Sequence, residues 1–195
     1  MNNYQPLLRN IARFVTLSSE QEEQLTSVIR TTWVKRRQFI IQPGFPSQYR
    51  NYILEGAFRS YYLDQDGKEH TVSIAVEDWF VTDFHSHIYQ SPAKSFVEAL
   101  EDSVILQLHY DDIEALCQKI HPLSEFFRKV TERAFASATV RVVSNISKSA
   151  EERYRAYVEK YPQIATRVPQ YVLASYLGMS AEFLSKIRSR PTRKS

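Results

Sequence analysis

The segment from Gln170 to Arg190 carries side chains whose types and spacing could recognise double-stranded DNA. On a helix that begins after Ser180, the outward positions include Ala181, Glu182 and Lys186. A glutamate can accept a hydrogen bond from the cytosine amino group, a lysine can donate to guanine or to a phosphate, and an alanine can contact the thymine methyl group. The predicted DNA-binding residues are Gln170, Ser180, Ala181, Glu182, Ser185, Lys186, Arg188 and Arg190. Among these residues, the two arginines are assigned to phosphates.

Two short helices and a tight turn are needed to present these side chains, and the same segment predicts them. Pro169 can open the first helix, because its missing N–H would have no partner there in any case. Gly178 suits the left-handed residue that ends a helix, and Ser180 is a good N-cap for the second helix. The residues predicted to face inward are Val172, Leu173, Ala174, Tyr176, Leu177, Phe183, Leu184 and Ile187. The pattern predicts a helix-turn-helix, and a helical hairpin that only packs the core is the alternative.

Histidine and cysteine residues raise the question of a metal site or a nucleophile. His85 and His87 are two residues apart, which on a strand would place both imidazoles on one face, as in the metal sites of cupin-type enzymes. Such a site also needs a glutamate close by, yet position 91 is Ser91 and the next glutamate is Glu98. Ordinary polar histidines are favoured, and a cupin-like metal enzyme is the minor alternative. Cys117 is expected to be a buried thiol on an amphipathic helix. No metal or cofactor is predicted.

Short β-strands are predicted in front of this segment, over residues 32–109. Runs rich in β-branched and aromatic residues occupy 39–41, 49–54, 58–63, 71–76, 95–99 and 104–109. Asp66 and Gly67 between two of these runs are typical of a hairpin, because tight turns need residues that tolerate positive φ. The spacing predicts a small sandwich or barrel. Two short helices precede the strands, the second with a predicted capping box of Ser19 and Glu22.

A much longer helix is predicted from Pro122 onward, since apolar residues recur every three or four positions without an internal glycine or proline. The recurring residues are Leu123, Phe126, Phe127, Val130, Ala134, Ala138, Val142 and Ile146. The helix would be roughly 35 to 40 Å long. Its stripe fits a seam between two chains, in which the small Ala134 and Ala138 let the helices approach each other. Packing along the chain's own β domain is the alternative.

The bulk composition limits the class of protein. With 195 residues, 43% hydrophobic residues and a mean hydropathy of −0.40, a globular protein with a core is expected. No apolar run is long enough to span a bilayer, no secretory signal is recognised, and a single cysteine excludes an internal disulfide. A cytoplasmic location is therefore expected. The net charge of +3 divides into +5 from residue 151 onward and −2 before it, so the positive charge lies with the candidate DNA-binding segment.

The order of these elements resembles the catabolite activator protein and fumarate-nitrate regulator (Crp/Fnr) family of bacterial transcription factors over almost the whole chain. The strongest local pieces are residues 174–188, ASYLGMSAEFLSKIR, and residues 52–62, YILEGAFRSYY, continued through 66–69, DGKE. The resemblance implies an α+β fold. Its parts are an N-terminal double-stranded β-roll like a cyclic nucleotide-binding domain, a long dimerisation helix and a C-terminal helix-turn-helix with a shortened wing. The implied domains are residues 1–120, 121–148 and 149–195.

The family's base contacts carry over to Ala181, Glu182 and Lys186, with an alanine where an arginine is common. The phosphate grip of cyclic-nucleotide binders does not carry over. Those members use a Gly-Glu pair and an Arg-Ser pair, and this chain has Val81-Thr82 and Lys94-Ser95 instead. A cyclic phosphate would lack its bidentate arginine, so control by cyclic AMP is not expected. The resemblance instead places a candidate effector pocket at Tyr62, Thr82, Phe84 and Lys94.

The sequence therefore predicts a dimeric, sequence-specific DNA-binding transcription regulator that is not an enzyme. The expected partners are double-stranded DNA, a second copy of the chain, RNA polymerase and a small-molecule effector of unknown identity, with no membrane. The cysteine cluster of iron–sulfur members is absent, and the wing is expected to be shortened because the sequence stops at Ser195. The alternative is a sensor or interaction module of the same fold that no longer binds DNA.

Overall fold

A computed structural model describes residues 4–189, which form an α+β architecture of eight strands and nine helices. The strands are β1 Arg30–Val34, β2 Phe39–Ile41, β3 Tyr49–Glu55, β4 Phe58–Leu63, β5 Glu69–Ala75, β6 Phe80–Val81, β7 Phe96–Ala99 and β8 Ser103–His109. The helices are α1 Gln5–Ala12, α2 Ser19–Ser27, α3 Phe84–Tyr89, α4 Tyr110–Lys119, α5 His121–Ser147, α6 Ala150–Lys160, α7 Pro162–Arg167, α8 Gln170–Tyr176 and α9 Ala181–Ser189. Within these residues, no helix is both long and apolar enough to cross a membrane.

The strands form two antiparallel four-stranded sheets that enclose a common core. One sheet has the order β1-β8-β3-β6 and the other the order β2-β7-β4-β5. The core between them includes the fully buried Ile53, Phe58, Val97 and Ile105, which come from both sheets. All six predicted strands are confirmed within one or two residues, and two further strands, β1 and β6, were not predicted. The predicted β-roll is therefore present.

The β4–β5 hairpin follows the predicted turn chemistry. Gly67 has a φ of +76°, a backbone conformation that an L side chain rarely adopts. The Asp64 carboxylate accepts hydrogen bonds from the backbone N–H groups of Asp66 and Lys68, both at 3.0 Å. These two bonds satisfy backbone N–H groups of the turn that have no partner on the opposite strand, and they fix the hairpin register.

Helices α1, α2, α4 and the start of α5 cover the outer face of the first sheet. Their apolar side chains meet Tyr52, Leu106 and Leu108 in a second core. The capping box predicted at the start of α2 is displaced by one residue, because Ser18 rather than Ser19 is the N-cap. Ser18 accepts from the backbone N–H of Gln21, whose side chain accepts from the backbone N–H of Ser18.

The long helix α5 has two halves with different surroundings. Leu123, Phe126 and Phe127 are buried against the β-roll, whereas no side chain from residue 131 to residue 147 is buried. The exposed half retains large apolar side chains, and Phe135 is 75% and Ile146 is 83% exposed. Packing along the chain's own β domain is therefore confirmed for the first half, and the seam between two chains stays a prediction. The first half packs along its own domain, and the second half presents an apolar surface.

Helices α6 to α9 form a compact helical domain with its own core. Its most buried side chains include Val172, Leu173 and Leu184, together with Ile164 of α7. The same cluster contains Ala57, Ile74 and Leu100, all from the β-roll. The helical domain is therefore docked on the β-roll rather than tethered loosely to it.

Polar contacts reinforce this docking. The Ser175 hydroxyl accepts from the backbone N–H of Thr71 at 2.9 Å and donates to the carbonyl of Glu69 at 3.1 Å. The Arg167 guanidinium pairs with the carboxylates of Glu77 and Glu101 at once. These contacts orient the helical domain relative to the β4–β5 hairpin.

Candidate nucleic-acid interface

The turn between α8 and α9 sets the angle at which α9 is presented. Gly178 has a φ of +69°, and its N–H bonds to the carbonyl of Ser175 while the Met179 N–H bonds to the carbonyl of Ala174. This pair of bonds is a Schellman motif, which ends α8 cleanly. The Ser180 hydroxyl then accepts from the backbone N–H of Phe183 at 3.2 Å. Both structural predictions for the turn, the C-terminal glycine and the serine cap, are confirmed.

One face of α9 is buried and the opposite face is open. Leu184 is 0% and Ile187 is 7% exposed, because both pack into the helical domain. At about 100° per residue, the opposite face spans an arc of about 140°. It comprises Ala181, Glu182, Ser185, Lys186 and Ser189, none of which is buried. A helix held from behind by its apolar side and open on its polar side can enter a major groove.

The first turn of α9 holds an ionised acceptor. The pKa of Glu182 is lowered, first by a hydrogen bond from its own backbone N–H and then by one from the Ser180 hydroxyl. Lys186, one turn further along, lowers it as well. The carboxylate is therefore charged at neutral pH and available as an acceptor at the end of the helix that meets base edges.

A shallow concave surface of about 640 Å³ lies between the start of α8 and the open face of α9. Gln170 lines it and donates from its side-chain amide to the carbonyl of Ala181 at 3.2 Å. Tyr171 and Ser189 also line this surface, although neither was among the predicted site residues. Tyr171 could have been found from its position at the start of α8, beside Gln170.

Tyr171 also touches the β-roll. The Arg59 guanidinium lies 5.3 Å from the centre of the Tyr171 ring and 4.1 Å from that of Tyr61. Arg59 is only 4% exposed and is held by Glu98 at 2.6 Å and Glu69 at 2.5 Å. The burial of Arg59 opposes its charge, but the two carboxylates outweigh it and raise its pKa. A fixed cation of the β-roll therefore supports one edge of the candidate interface.

The sequence also predicted an inward Phe183, two arginines at the end of α9 and a shortened wing. Phe183 was expected to face inward but is 45% exposed, because it lies on the flank of α9 rather than on the Leu184 side. Arg188 is exposed in the last turn of α9. Arg190 and the expected shortened wing lie outside the described residues.

The candidate effector residues do not form one group. Burial and then the charge of Asp83 raise the pKa of Tyr62, while a hydrogen bond with Ser95 lowers it. Lys94 is part of the same corner, where its backbone N–H donates to Asp83. Thr82 instead bonds to the carbonyl of Tyr49 and contacts Ser47. The fourth residue, Phe84, faces elsewhere.

Phe84 and the histidines belong to the surroundings of α3. The Arg50 guanidinium lies 5.8 Å from the Phe84 ring centre and donates to His87 Nε2 at 3.3 Å. His85 and His87 are on this helix and not on a strand, so their side chains point to different sides, one exposed and one buried. Burial and the charge of Arg50 lower the pKa of His87. The strand assumed for a cupin-like site is wrong, and no metal-binding group of His, Cys, Asp or Glu occurs within residues 4–189.

Cys117 lies on α4, as predicted, and is partly buried. Burial raises the pKa of its thiol to about 11. The thiol is therefore protonated at neutral pH and is a poor nucleophile.

Comparison with known proteins agrees with this architecture. The cyclic nucleotide-binding domain family matches residues 31–120, which cover β1 to α4. The anaerobic regulatory protein of Pasteurella multocida is 22% identical over 187 residues, covering 90% of this chain and 68% of that protein. The fumarate and nitrate reduction regulatory protein of Yersinia pestis is 23% identical over 188 residues, covering 90% and 74%.

Solved structures share the fold at low sequence identity. FixK2 from Bradyrhizobium japonicum has a TM-score of 0.74 at 17% identity, covering 83% of each chain. The catabolite activator protein of Thermus thermophilus has a TM-score of 0.57 at 18% identity, covering 94% of this chain and 85% of that one. With the β-roll, the long helix and the helix-turn-helix all in place along one polypeptide, this chain is similar in sequence and fold to regulators of the catabolite activator protein and fumarate-nitrate regulator family.

Proposed function

We propose that the protein is a transcription regulator that binds specific DNA sequences as a homodimer, with α9 of each subunit in the major groove. The open polar face of α9, set against the buried Leu184 and Ile187, is the observation that carries this proposal. In such a helix the N-terminal residues meet base edges, so Ala181, Glu182 and Ser185 are the proposed base readers.

The charge around α9 supports binding to a polyanion. Lys186 and Arg188 are exposed in the last turn, and neither is held in an ion pair among the described residues. Both cations are therefore free to contact phosphates, which supply most of the affinity of a protein for DNA. Arg190, the next residue in the sequence after Ser189, is proposed to add a further phosphate contact.

The exposed half of α5 supports dimerisation. At about 100° per residue, Phe135, Val142 and Ile146 lie within an arc of about 40° on one side of the helix. Arg141 lies about 120° around the helix from this stripe, and its guanidinium is 4.9 Å from the Tyr176 ring of the helical domain. The apolar stripe thus faces away from its own subunit. A second α5 would bury it, and a twofold dimer would place the two α9 helices at half-sites about one helical turn of DNA apart.

Genomic DNA, RNA polymerase and a small-molecule effector are the proposed partners. A regulator of this type acts on genomic DNA in the cytoplasm, meets RNA polymerase at promoters and performs no chemical step. A small-molecule effector other than cyclic AMP is proposed for the β-roll, because the bidentate arginine for a cyclic phosphate is replaced by Lys94.

Selection of bound fragments from genomic DNA, followed by binding titrations on the recovered sequence, tests the proposal. Glu182→Ala is expected to change the preferred base at one position of each half-site, whereas Glu159→Ala on α6 is not. Each lost base contact should reduce discrimination at that position about 5- to 150-fold. Enrichment of no sequence, with binding equal for all fragments, would contradict sequence-specific binding. Recovery of no DNA at all would favour a sensor that has lost this function.

A further inference from the structure

A buried carboxylate occupies a ring of hydrogen-bond donors at one end of the β-roll. Asp83 lies between β6 and α3 and is 5% exposed. One of its oxygens, Oδ1, accepts from the backbone N–H of Ser86 at 3.0 Å and caps α3. The other oxygen, Oδ2, accepts from the backbone N–H groups of Lys94 and Ser95 at 3.3 and 3.2 Å and from the Ser95 hydroxyl at 2.7 Å.

These donors favour the ionised carboxylate. Burial alone would raise the pKa of Asp83, but the bonds from Ser95, Ser86 and Lys94 outweigh burial and lower it. Two successive backbone N–H groups with an adjacent hydroxyl are the kind of donor set that holds an anion. A carboxylate and a phosphate are both acceptor-only anions, so both suit this set.

We define the cradle as the donors of Lys94 and Ser95 that meet Asp83 Oδ2. The surroundings of this cradle also suit an anion. The Lys94 side chain is exposed and forms no ion pair within residues 4–189. The Tyr62 hydroxyl faces the cradle from β4, next to Ser95. A hydroxyl thus lies next to donors that Asp83 already fills, and one of those donors belongs to a lysine without an ion-pair partner among the described residues.

We propose that Asp83 is a built-in anion that fills this cradle and closes it to phosphate-bearing ligands. A tethered carboxylate competes with free anions at a high effective concentration. Asp83 also joins the start of α3 to the segment before β7, two parts of the β-roll that an external anion would otherwise bridge. The wild-type β-roll therefore binds no anion at this position, and any effector binds elsewhere.

Asp83→Ser is the informative variant. A serine hydroxyl can still cap α3 through the Ser86 N–H, but it leaves the Oδ2 position empty. Inorganic phosphate is expected to bind this variant at least about tenfold more tightly than the wild type, since hydrogen bonds to a charged group are worth at least that factor. In ¹⁵N NMR spectra, phosphate should shift the amides of Lys94 and Ser95 in the variant and leave them unmoved in the wild type.

Two further variants distinguish the effect of an empty Oδ2 position from the effect of losing the carboxylate charge. Asp83→Asn keeps the cradle filled without the charge and should gain no phosphate binding. Adding Ser95→Ala to Asp83→Ser removes one donor and should reverse the gain about tenfold. Sodium chloride at matched ionic strength controls for general salt effects.

The phosphate titrations and NMR spectra use no DNA, so their outcomes do not depend on the proposed function. A folded Asp83→Ser protein with wild-type affinity for phosphate would overturn the proposal, as would phosphate-induced shifts of Lys94 and Ser95 in the wild type. If Asp83→Ser does not fold alone, added phosphate should restore folding because it replaces the missing anion. Failure of phosphate to do so also overturns the proposal.

Discussion

Replacing Arg188 with alanine is expected to weaken binding to every DNA sequence by a similar factor. Arg188 is exposed in the last turn of α9, about 20° around the helix from Ala181, and is assigned to a phosphate rather than to a base. A homodimer carries this residue twice, so the variant removes two phosphate contacts. Each contact contributes about 0.9 to the slope of log K against log salt, and the slope should therefore decrease in magnitude by about 1.8.

The same numbers give the loss in affinity. At an ionic strength of about 0.15 M, a change of about 1.8 in slope corresponds to roughly 30-fold weaker binding. The loss should shrink as salt rises, since counterion release contributes less in concentrated salt. Unfolding is not expected, because the Arg188 side chain makes no buried contact.

Fluorescence anisotropy titrations on a selected site and on a scrambled duplex, at several salt concentrations, measure both quantities. Arg9→Ala is the matched control, because Arg9 is exposed on α1 and belongs to the far side of the β-roll. An unchanged slope for Arg188→Ala would refute a phosphate contact. A loss confined to the selected site would instead make Arg188 a base reader, and its assignment to a phosphate would be wrong.

Three other perturbations have defined outcomes. Ile146→Asp should raise the dimer dissociation constant at least about 100-fold, because each subunit loses about 1.5–3 kcal/mol of apolar burial, and sedimentation equilibrium measures it. Burial would raise the pKa of Glu77, but bonds from Arg167 and from the Gly56 N–H lower it to about 2. The stabilisation of the folded state by Glu77 should be complete at a pH above its usual pKa of 4.5 and should be lost as the pH falls towards about 2. Thermal unfolding measured against pH checks this expectation. Leu184→Ala, at a site with 0% exposure, should cost about 2–5 kcal/mol in urea unfolding.

Each of these perturbations has its own control. Ile88→Asp introduces the same charge at a 53% exposed isoleucine of the β-roll and should leave the dimer intact. Glu77→Gln should remove its share of the acid sensitivity, and an unchanged pH profile would show that Glu77 does not stabilise the docked state. Phe183→Ala, at a 45% exposed side chain, should cost clearly less than Leu184→Ala. Equal costs would mean that the burial of Leu184 is not what holds α9.

Local chemistry made much of the fold and the helix-turn-helix predictable. Gly178 and Ser180 act through bonds to residues at most four positions away, so their roles follow from the sequence alone. Helices α6 and α7 have no predicted bounds, because α6 buries aromatic residues such as Tyr157 rather than a regular aliphatic stripe. The capping box of Ser149 and Glu152 at the start of α6 was a readable signal.

Other features depend on contacts that sequence patterns do not encode. Strand β1 exposes Trp33, which is 72% accessible, and β6 has only two residues, so neither shows a clear alternation. The partners of Asp83 at Lys94 and Ser95 are eleven and twelve residues away and meet it only once β7 is in place. The docking of Tyr171 over Arg59 joins residues more than a hundred positions apart. Such pairings follow from the three-dimensional packing.

The contrast between the two halves of α5 also couples folding of the exposed half to dimerisation. The half that follows Val130 buries no side chain within its own chain, and a helical segment of this length has little stability alone in water. In a dilute monomer its backbone amides should exchange quickly with solvent, while those near Phe126 stay protected. Pairing with a second copy would order this half and fix the distance between the two DNA-reading helices together. The cellular abundance of the protein would then act as a signal in its own right, because it sets the fraction of chains with a rigid spacer.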